Sequence, residues 1–163
     1  MSLDFETAKT QGMIGDAFAD FREGVELLKN DYPEKAVGRL KLALESDKYN
    51  PYYTSFLGLA IARAEEEWAD ALELCEGAVQ VKPKEMQFHL NLAEVYALAG
   101  LRGQALDTLD KALLLFGNDS RLKRARKKAD SRRASLLPFL ERENFLNRGL
   151  GRLRHSILKK LDW

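Results

Sequence analysis

The sequence has few of the residues that usually carry catalytic or metal-binding chemistry. Among 163 residues it has one cysteine and two histidines, and His89 and His155 lie far apart in the chain. Cys75 has no second cysteine for a disulfide, and these scattered side chains do not form the clustered ligand set of a zinc site. In its apolar stretch, Cys75 is best interpreted as a small buried hydrophobe. We therefore expect no metal, no cofactor and no enzymatic activity.

Long apolar runs are also missing. No run approaches the roughly 18 residues that a membrane-spanning helix needs, and residues 1–15 lack the basic start and apolar core of a secretory signal. The expected location is cytoplasmic. The glycines follow no predicted strand, so they fit neither a phosphate-binding loop nor a dinucleotide fingerprint. With 45% apolar residues, the chain has enough material for one domain that is stabilised by packing alone.

The net charge of +1 hides an asymmetry between the two parts of the chain. Residues 1–118 carry 12 Lys and Arg against 20 Asp and Glu, a net charge of −8. Residues 119–163 carry 14 against 5, a net charge of +9. This difference predicts either different partners for the two parts or docking of one part on the other.

Small residues recur with a period of 34 or 35 residues. One column consists of alanine pairs that are seven residues apart: Ala36 and Ala43, Ala71 and Ala78, and Ala105 and Ala112. A second column, upstream of the first, contains Gly24, Gly58 and Ala93. Small residues are needed where the two helices of a hairpin cross closely, as we expect for Gly58 and Ala71. The columns therefore predict three stacked helix hairpins.

These columns resemble the tetratricopeptide-repeat (TPR) family, whose 34-residue unit reads W-x2-L-G-x2-Y, then A-x3-F, then P. The second copy is the fullest match, with Leu57, Gly58, Ala71, Ala78 and Pro83 in the family's positions. All three copies lack the tryptophan, and the first and third also lack the proline. The resemblance implies an all-α superhelix, a TPR solenoid of three helix hairpins followed by a capping helix and a C-terminal amphipathic helix.

The predicted organisation has four parts. Residues 1–16 are expected to form an N-terminal segment that is partly disordered or partly derived from a tag. Residues 17–118 hold the three repeats, at about 17–50, 51–84 and 85–118, and residues 119–137 form the basic capping helix. Residues 138–163 form the basic amphipathic C-terminal segment.

The resemblance also implies a concave groove that takes a peptide or helix of a partner protein. Carried over residue by residue, the inward-facing positions are Phe18, Phe21, Arg22 and Val25, then Tyr52, Phe56, Leu59 and Arg63, then Gln87, Leu90, Asn91 and Glu94. The aromatic residues favour an apolar guest, although Phe18, Phe21 and Phe56 could equally be core residues. The family's carboxylate clamp is not matched, because only Asn91 has the required polar character. Recognition of a chaperone C-terminus is therefore disfavoured.

The segment that follows the repeats is strongly basic. Eight cations lie within the thirteen residues from Arg121 to Arg133, around a narrow stripe of Leu122, Ala125 and Ala129. This pattern is typical of a capping helix, which terminal repeats need for a soluble outer face. Alternatively it is a cationic surface for nucleic acid or anionic lipid. The candidate contacts for such a surface are Arg124, Lys127, Lys128, Arg132, Arg148 and Arg152.

Beyond Pro138, residues 145–163 form a basic amphipathic pattern. We expect it to pack on the repeats or on a second copy of the chain, with a membrane or a separate partner as alternatives. Our interpretation of the whole chain is a non-catalytic adaptor or scaffold. The alternative is a peripheral protein that binds an anionic surface. A minor alternative is a secretion chaperone, because residues 56–60 resemble the type III secretion translocator chaperones, although the basic tail departs from that family.

Overall fold

The structure is a computed structural model that describes residues 3–64 and 67–130, with side chains from residue 16 onward. These residues form seven helices and no strands, as the all-α prediction requires. The helices are α1 (Leu3–Lys29), α2 (Pro33–Ser46), α3 (Pro51–Ala64), α4 (Trp68–Val81), α5 (Met86–Leu98), α6 (Arg102–Phe116) and α7 (Ser120–Asp130). Helix α1 begins at Leu3 and so takes in most of the predicted N-terminal segment. The amphipathic segment 138–163 lies outside the described residues.

The helix ends follow from local chemistry. Pro33 and Pro51 are the first residues of α2 and α3, where the missing N–H of proline would have had no helical partner. After α5 and α6, Gly100 and Gly117 adopt φ angles of 78° and 71°, which glycine reaches without strain. Asp119 caps α7, because its Oδ1 accepts a hydrogen bond of 2.7 Å from the Arg121 backbone N–H. That bond holds the pKa of Asp119 below its usual range.

The helices pack as consecutive hairpins. Helix α1 packs on α2, α3 on α4, and α5 on α6, while α2–α3, α3–α5 and α4–α5 contacts join one hairpin to the next. Helix α7 packs on α6 and also touches α5. The first helices, α1, α3 and α5, therefore form one layer, and the second helices form the other.

The core follows the repeating columns. The six alanines of the paired column are at most 1% exposed, and Leu40, Cys75 and Leu109 are buried between them, one in each second helix. A Cβ atom on Gly58 would lie 2.7 Å from Cys75 Sγ and 2.8 Å from the carbonyl oxygen of Ala71. The close crossing predicted at Gly58 and Ala71 is therefore present in the structure.

Cys75 is expected to be almost unreactive while the protein is folded. Burial, and then the nearby Glu76 carboxylate, raise the pKa of its thiol to about 12, and Sγ donates a 3.4 Å hydrogen bond to the Ser55 carbonyl oxygen. Since the thiolate is the nucleophile, we expect a disulfide reagent such as DTNB to label the native protein at least about 100-fold more slowly than the urea-unfolded chain. Equal labelling rates at mildly alkaline pH would contradict this prediction.

The same thiol should make folding sensitive to alkaline pH. Its native pKa of about 12 lies above the ordinary value of 9.0, so the unfolded chain loses the proton first as the pH rises. The contribution of the thiol to stability is therefore complete below about pH 9 and is lost as the pH rises towards 12.

Candidate functional site

A groove of about 680 Å³ lies on the face formed by the first helices. Its walls come from α1, α3 and α5, with further contributions from α6 and α7. Apolar side chains from three helices converge there: Val25 and Leu28 of α1, Phe56 and Leu59 of α3, and Leu90, Ala97 and Leu98 of α5. A groove of this size and composition can bury several apolar side chains of a guest.

Most of the predicted groove contacts line this groove. They come from all three repeats and comprise Val25, Phe56, Leu59, Arg63, Gln87, Leu90, Asn91 and Glu94. Their convergence depends on the helix spacing, because residues three and four positions apart share one face of a helix. Phe56 is both a groove residue and a core residue, because it lines the groove and also packs against the core.

Four predicted contacts do not line the groove. Phe21 packs into an aromatic cluster, with ring centroids 4.9 Å from Tyr53 and 5.4 Å from Phe56. Tyr52 packs edge-on against Phe88, and its hydroxyl donates a 2.7 Å hydrogen bond to Glu85. Phe18 is 56% exposed, and Arg22 is also exposed. Phe21 and Tyr52 contact other helices instead of lining the groove. At these two positions the resemblance to the TPR family implied groove contacts that the structure does not have.

Arg63, which lines the groove, connects three helices. Its Nε donates a 3.0 Å hydrogen bond to Glu94 Oε1 on α5, and Nη2 bonds the same oxygen. Its Nη1 donates a 3.1 Å hydrogen bond to the backbone oxygen of Leu28 on α1. Such charge-assisted bonds fix geometry well. The arginine therefore holds α1, α3 and α5 in register, and its charge is already paired.

A polar ladder joins two groove-lining residues of α5 to Ser55 of α3. Gln87 Nε2 donates a 2.8 Å hydrogen bond to Asn91 Oδ1, and Asn91 Nδ2 donates a 3.0 Å hydrogen bond to Ser55 Oγ. Asn91 is only 1% exposed. Its amide is therefore engaged inside the protein, where a partner's carboxylate cannot reach it. The one residue that fits the carboxylate clamp by sequence is not available for that role.

The contribution of α7 to the groove was not predicted from the sequence. Ala125, Lys128 and Ala129 line the groove, while Leu122 is completely buried against α6. The spacing of Leu122, Ala125 and Ala129 predicted that α7 packs on the repeats, but it did not show which repeat face α7 borders.

Polar contacts also hold α7 on α6. Arg126 donates hydrogen bonds of 2.5 and 3.2 Å to the two carboxylate oxygens of Asp110, which lowers the pKa of that carboxyl. Arg102 donates to the backbone oxygens of Ala129 and Asp130, at 2.9 and 2.8 Å. These carbonyls lie in the last described turn of α7. Helix α7 is therefore anchored along its length and forms a fixed wall.

A profile described as "Tetratricopeptide repeat" matches residues 62–129, from the end of α3 to α7. This part of the chain therefore matches the tetratricopeptide-repeat family. No curated protein matches the sequence.

Solved structures of TPR domains resemble this one. The Arabidopsis OM64 TPR domain has a TM-score of 0.61 at 18% identity, covering 72% of this chain and 96% of that domain. TTC0263, a TPR protein of Thermus thermophilus, has a TM-score of 0.63 at 20% identity, covering 69% of this chain and 63% of its own. The second TPR domain of human RPAP3, in complex with the HSP70 peptide SGPTIEEVD, has a TM-score of 0.59 at 13% identity, covering 76% and 99%. These similarities establish the helical-repeat superhelix.

The predicted anionic-surface contacts fall into two groups. Arg124, Lys127 and Lys128 are exposed on α7, and Lys128 also borders the groove. Arg132, Arg148 and Arg152 lie outside the described residues. Of the described helices, none combines the length and apolarity that crossing a membrane requires. Residues 3–64 and 67–130 also bring together no group of three His, Cys, Asp or Glu that could hold a metal ion.

Proposed function

We propose that this protein is an adaptor that binds an apolar segment, peptide or helix, of another protein in the groove. The observation that carries the proposal is the convergence of apolar side chains from α1, α3 and α5 on one groove of about 680 Å³. Exposed apolar surface that is enclosed by polar residues ordinarily marks a site of protein contact. We also propose that α1–α2, α3–α4 and α5–α6 are the three repeats, and that α7 is their cap.

The structure of the human RPAP3 domain with an HSP70 peptide supports peptide binding as the kind of function. The chemistry of the groove supports a different class of guest for this chain. Asn91 is buried, Arg63 is paired with Glu94, and the apolar residues Val25 and Phe56 line the groove. We therefore propose a guest whose apolar side chains, and not its terminal carboxylate, provide most of the affinity.

Leu90 provides the most direct test, because it lines the groove and is only partly buried on α5. Peptides would be selected from a displayed random library on the wild-type protein, and their affinities measured by fluorescence anisotropy. Leu90→Glu removes an apolar contact and places a charge in the groove. Because burying one large apolar side chain contributes about 1.5–3 kcal/mol, we expect affinity to fall by about tenfold or more.

Leu114→Glu is the matched control. Leu114 lies on α6, is 87% exposed and is not part of the groove lining. The Leu114→Glu variant should bind the selected peptides as the wild type does. Circular dichroism should show that both variants are folded. If the library yields no binding peptide, or if a folded Leu90→Glu variant keeps full affinity, the groove is not the binding site.

A further inference from the structure

The charges in the groove differ from those of the repeats around it. Residues 1–118 have a net charge of −8, yet among their acids with described side chains only Glu94 lines the groove, together with the cations Lys29 and Arg63. Exposed acids lie on the second helices α2, α4 and α6, at Glu34, Glu45, Asp70, Glu73 and Asp107. Helix α1 also carries exposed acids, at Asp16, Glu23 and Glu26. None of these acids lines the groove.

Helix α7 adds a row of cations to one edge of the groove. Arg121, Arg124 and Lys128 are spaced by three and then four residues, so they lie on one side of the helix. Lys128 lines the groove, and Arg121 Nη2 lies 3.2 Å from Met86 Sδ at the start of α5. The row therefore follows the edge of α7 that faces α5, over roughly 10 Å. We call these three residues the cationic edge.

The cationic edge is incompletely neutralised. Arg121 pairs with Asp119 at 3.4 Å, whereas Arg124 is exposed and makes no ion pair with any residue that the structure describes. On the opposite side of α7, the carboxylate of Asp110 on α6 already forms an ion pair with Arg126. The other ion pairs at the groove, Arg63 with Glu94 and Lys29 with Glu26, are likewise complete within the protein. Arg124 thus leaves a positive charge on the cationic edge that no described acid pairs with, while Lys123 and Lys127 are exposed elsewhere on α7.

We infer that the segment bound in the groove carries Asp or Glu residues on the side that meets the cationic edge, next to its apolar residues. This inference rests on the proposed function and identifies the chemical class of the partner. Complementary charge beside an apolar contact sets the register of the guest and speeds its association. A membrane or a nucleic acid is disfavoured as the occupant, because the cationic edge borders a concave apolar groove and not a flat or phosphate-wide surface.

The test uses one peptide selected by the wild-type protein, synthesised in two versions. The first keeps its Asp and Glu residues, and the second has Asn and Gln in their place. Each exposed ion pair contributes modestly and the cationic edge offers more than one cation, so we expect the wild type to bind the acidic version roughly three- to tenfold more tightly at low salt. The difference should shrink at high salt, because these charges are exposed to screening.

Arg124→Glu should weaken binding of the acidic version roughly three- to tenfold and leave the amide version unchanged. Lys111→Glu is the matched control, because Lys111 is exposed on α6 outside the groove and the charge change is the same. The Lys111→Glu variant should keep the preference for the acidic peptide. A loss of preference in both variants would point to the net charge of the protein and would overturn the inference.

The remaining outcomes separate this inference from the proposed function. Equal wild-type affinity for the two versions, with Leu90→Glu still blocking both, would overturn the acidic partner and leave the groove as the binding site. If neither version binds, the proposed function itself fails. Phosphatidylserine vesicles that bind the wild type and Leu90→Glu equally, but not Arg124→Glu, would assign the cationic edge to membranes and overturn the inference.

Discussion

Gly58→Ala is expected to lower the free energy of unfolding by roughly 2–3 kcal/mol, although it adds only one methyl group. The added carbon would lie 2.7 Å from Cys75 Sγ, 2.8 Å from the Ala71 carbonyl oxygen and 3.1 Å from Leu74 Cβ. The carbonyl belongs to the backbone of α4, so it cannot turn aside as the end of a flexible side chain could. Relief of the clash therefore requires α3 and α4 to move apart, in the middle of the core.

Helix propensity alone predicts that Gly58→Ala raises the free energy of unfolding. In a helix interior, alanine is more favourable than glycine by about 1 kcal/mol, so an uncrowded site should gain stability from the change. Gly77 provides this comparison, because it lies inside α4 and nothing approaches its Cβ position within 4 Å. We expect Gly77→Ala to raise the free energy of unfolding by about 0.5–1 kcal/mol.

Urea unfolding followed by circular dichroism measures both changes. The midpoint should fall for Gly58→Ala and rise for Gly77→Ala, with similar slopes for the two variants. A stabilised Gly58→Ala variant would show that α3 and α4 do not cross as closely as the structure has them. Equal effects at the two positions would show that propensity, and not the crossing, decides the outcome.

Leu122→Ala is expected to detach α7 from the end of the superhelix. Leu122 is completely buried and is the one buried side chain of α7, where it packs with Ala93, Leu109 and Ala112. Truncation of a buried leucine costs about 2–4 kcal/mol. Helix α7 has eleven residues, and an isolated helix of that length is marginal in water. We therefore expect local unfolding of α7 before the rest of the protein unfolds.

Amide hydrogen exchange distinguishes this result from general destabilisation. The amides of α7 should lose protection in Leu122→Ala, while those of α3 and α4 keep theirs. Lys123→Ala is the matched control, because Lys123 is exposed on the same helix and its change should leave the exchange unaltered. Uniform loss of protection across all helices would contradict α7 as a separate cap. The variant should also weaken peptide binding if α7 forms a wall of the groove.

The sequence predicted the structure best where the position of a residue within the repeat alone decides what it packs against. The alanine and glycine columns at a period of 34 or 35 residues predicted the hairpins, because only small residues fit where two helices cross. The prolines that begin α2 and α3 follow an equally local rule. The resemblance to the TPR family placed Val25, Leu59 and Leu90 in the groove, and they line it because each repeat turns the same helix face inward.

The groove was predicted less well where a side chain has a choice of neighbours. Phe21 and Tyr52 occupy inward columns in the sequence but pack against Tyr53 and Phe88. Asn91 has the identity of a clamp residue, yet its amide bonds Ser55 and Gln87. These outcomes depend on which side chains arrive from other helices. A pattern along one helix does not contain that information.

The sequence by itself therefore determined the all-α repeat architecture, because helical periodicity and small-residue spacing are properties of single segments and their repetition. Its resemblance to the TPR family added the apolar character of the groove. Only the tertiary structure decided that Arg63 is paired with Glu94 and that α7 forms a wall of the groove, so that Lys128 borders it. The physical reason is distance along the chain. Arg63 and Glu94 are 31 residues apart, and the packing of α7 against α5 and α6 brings a basic helix beside the acidic repeats.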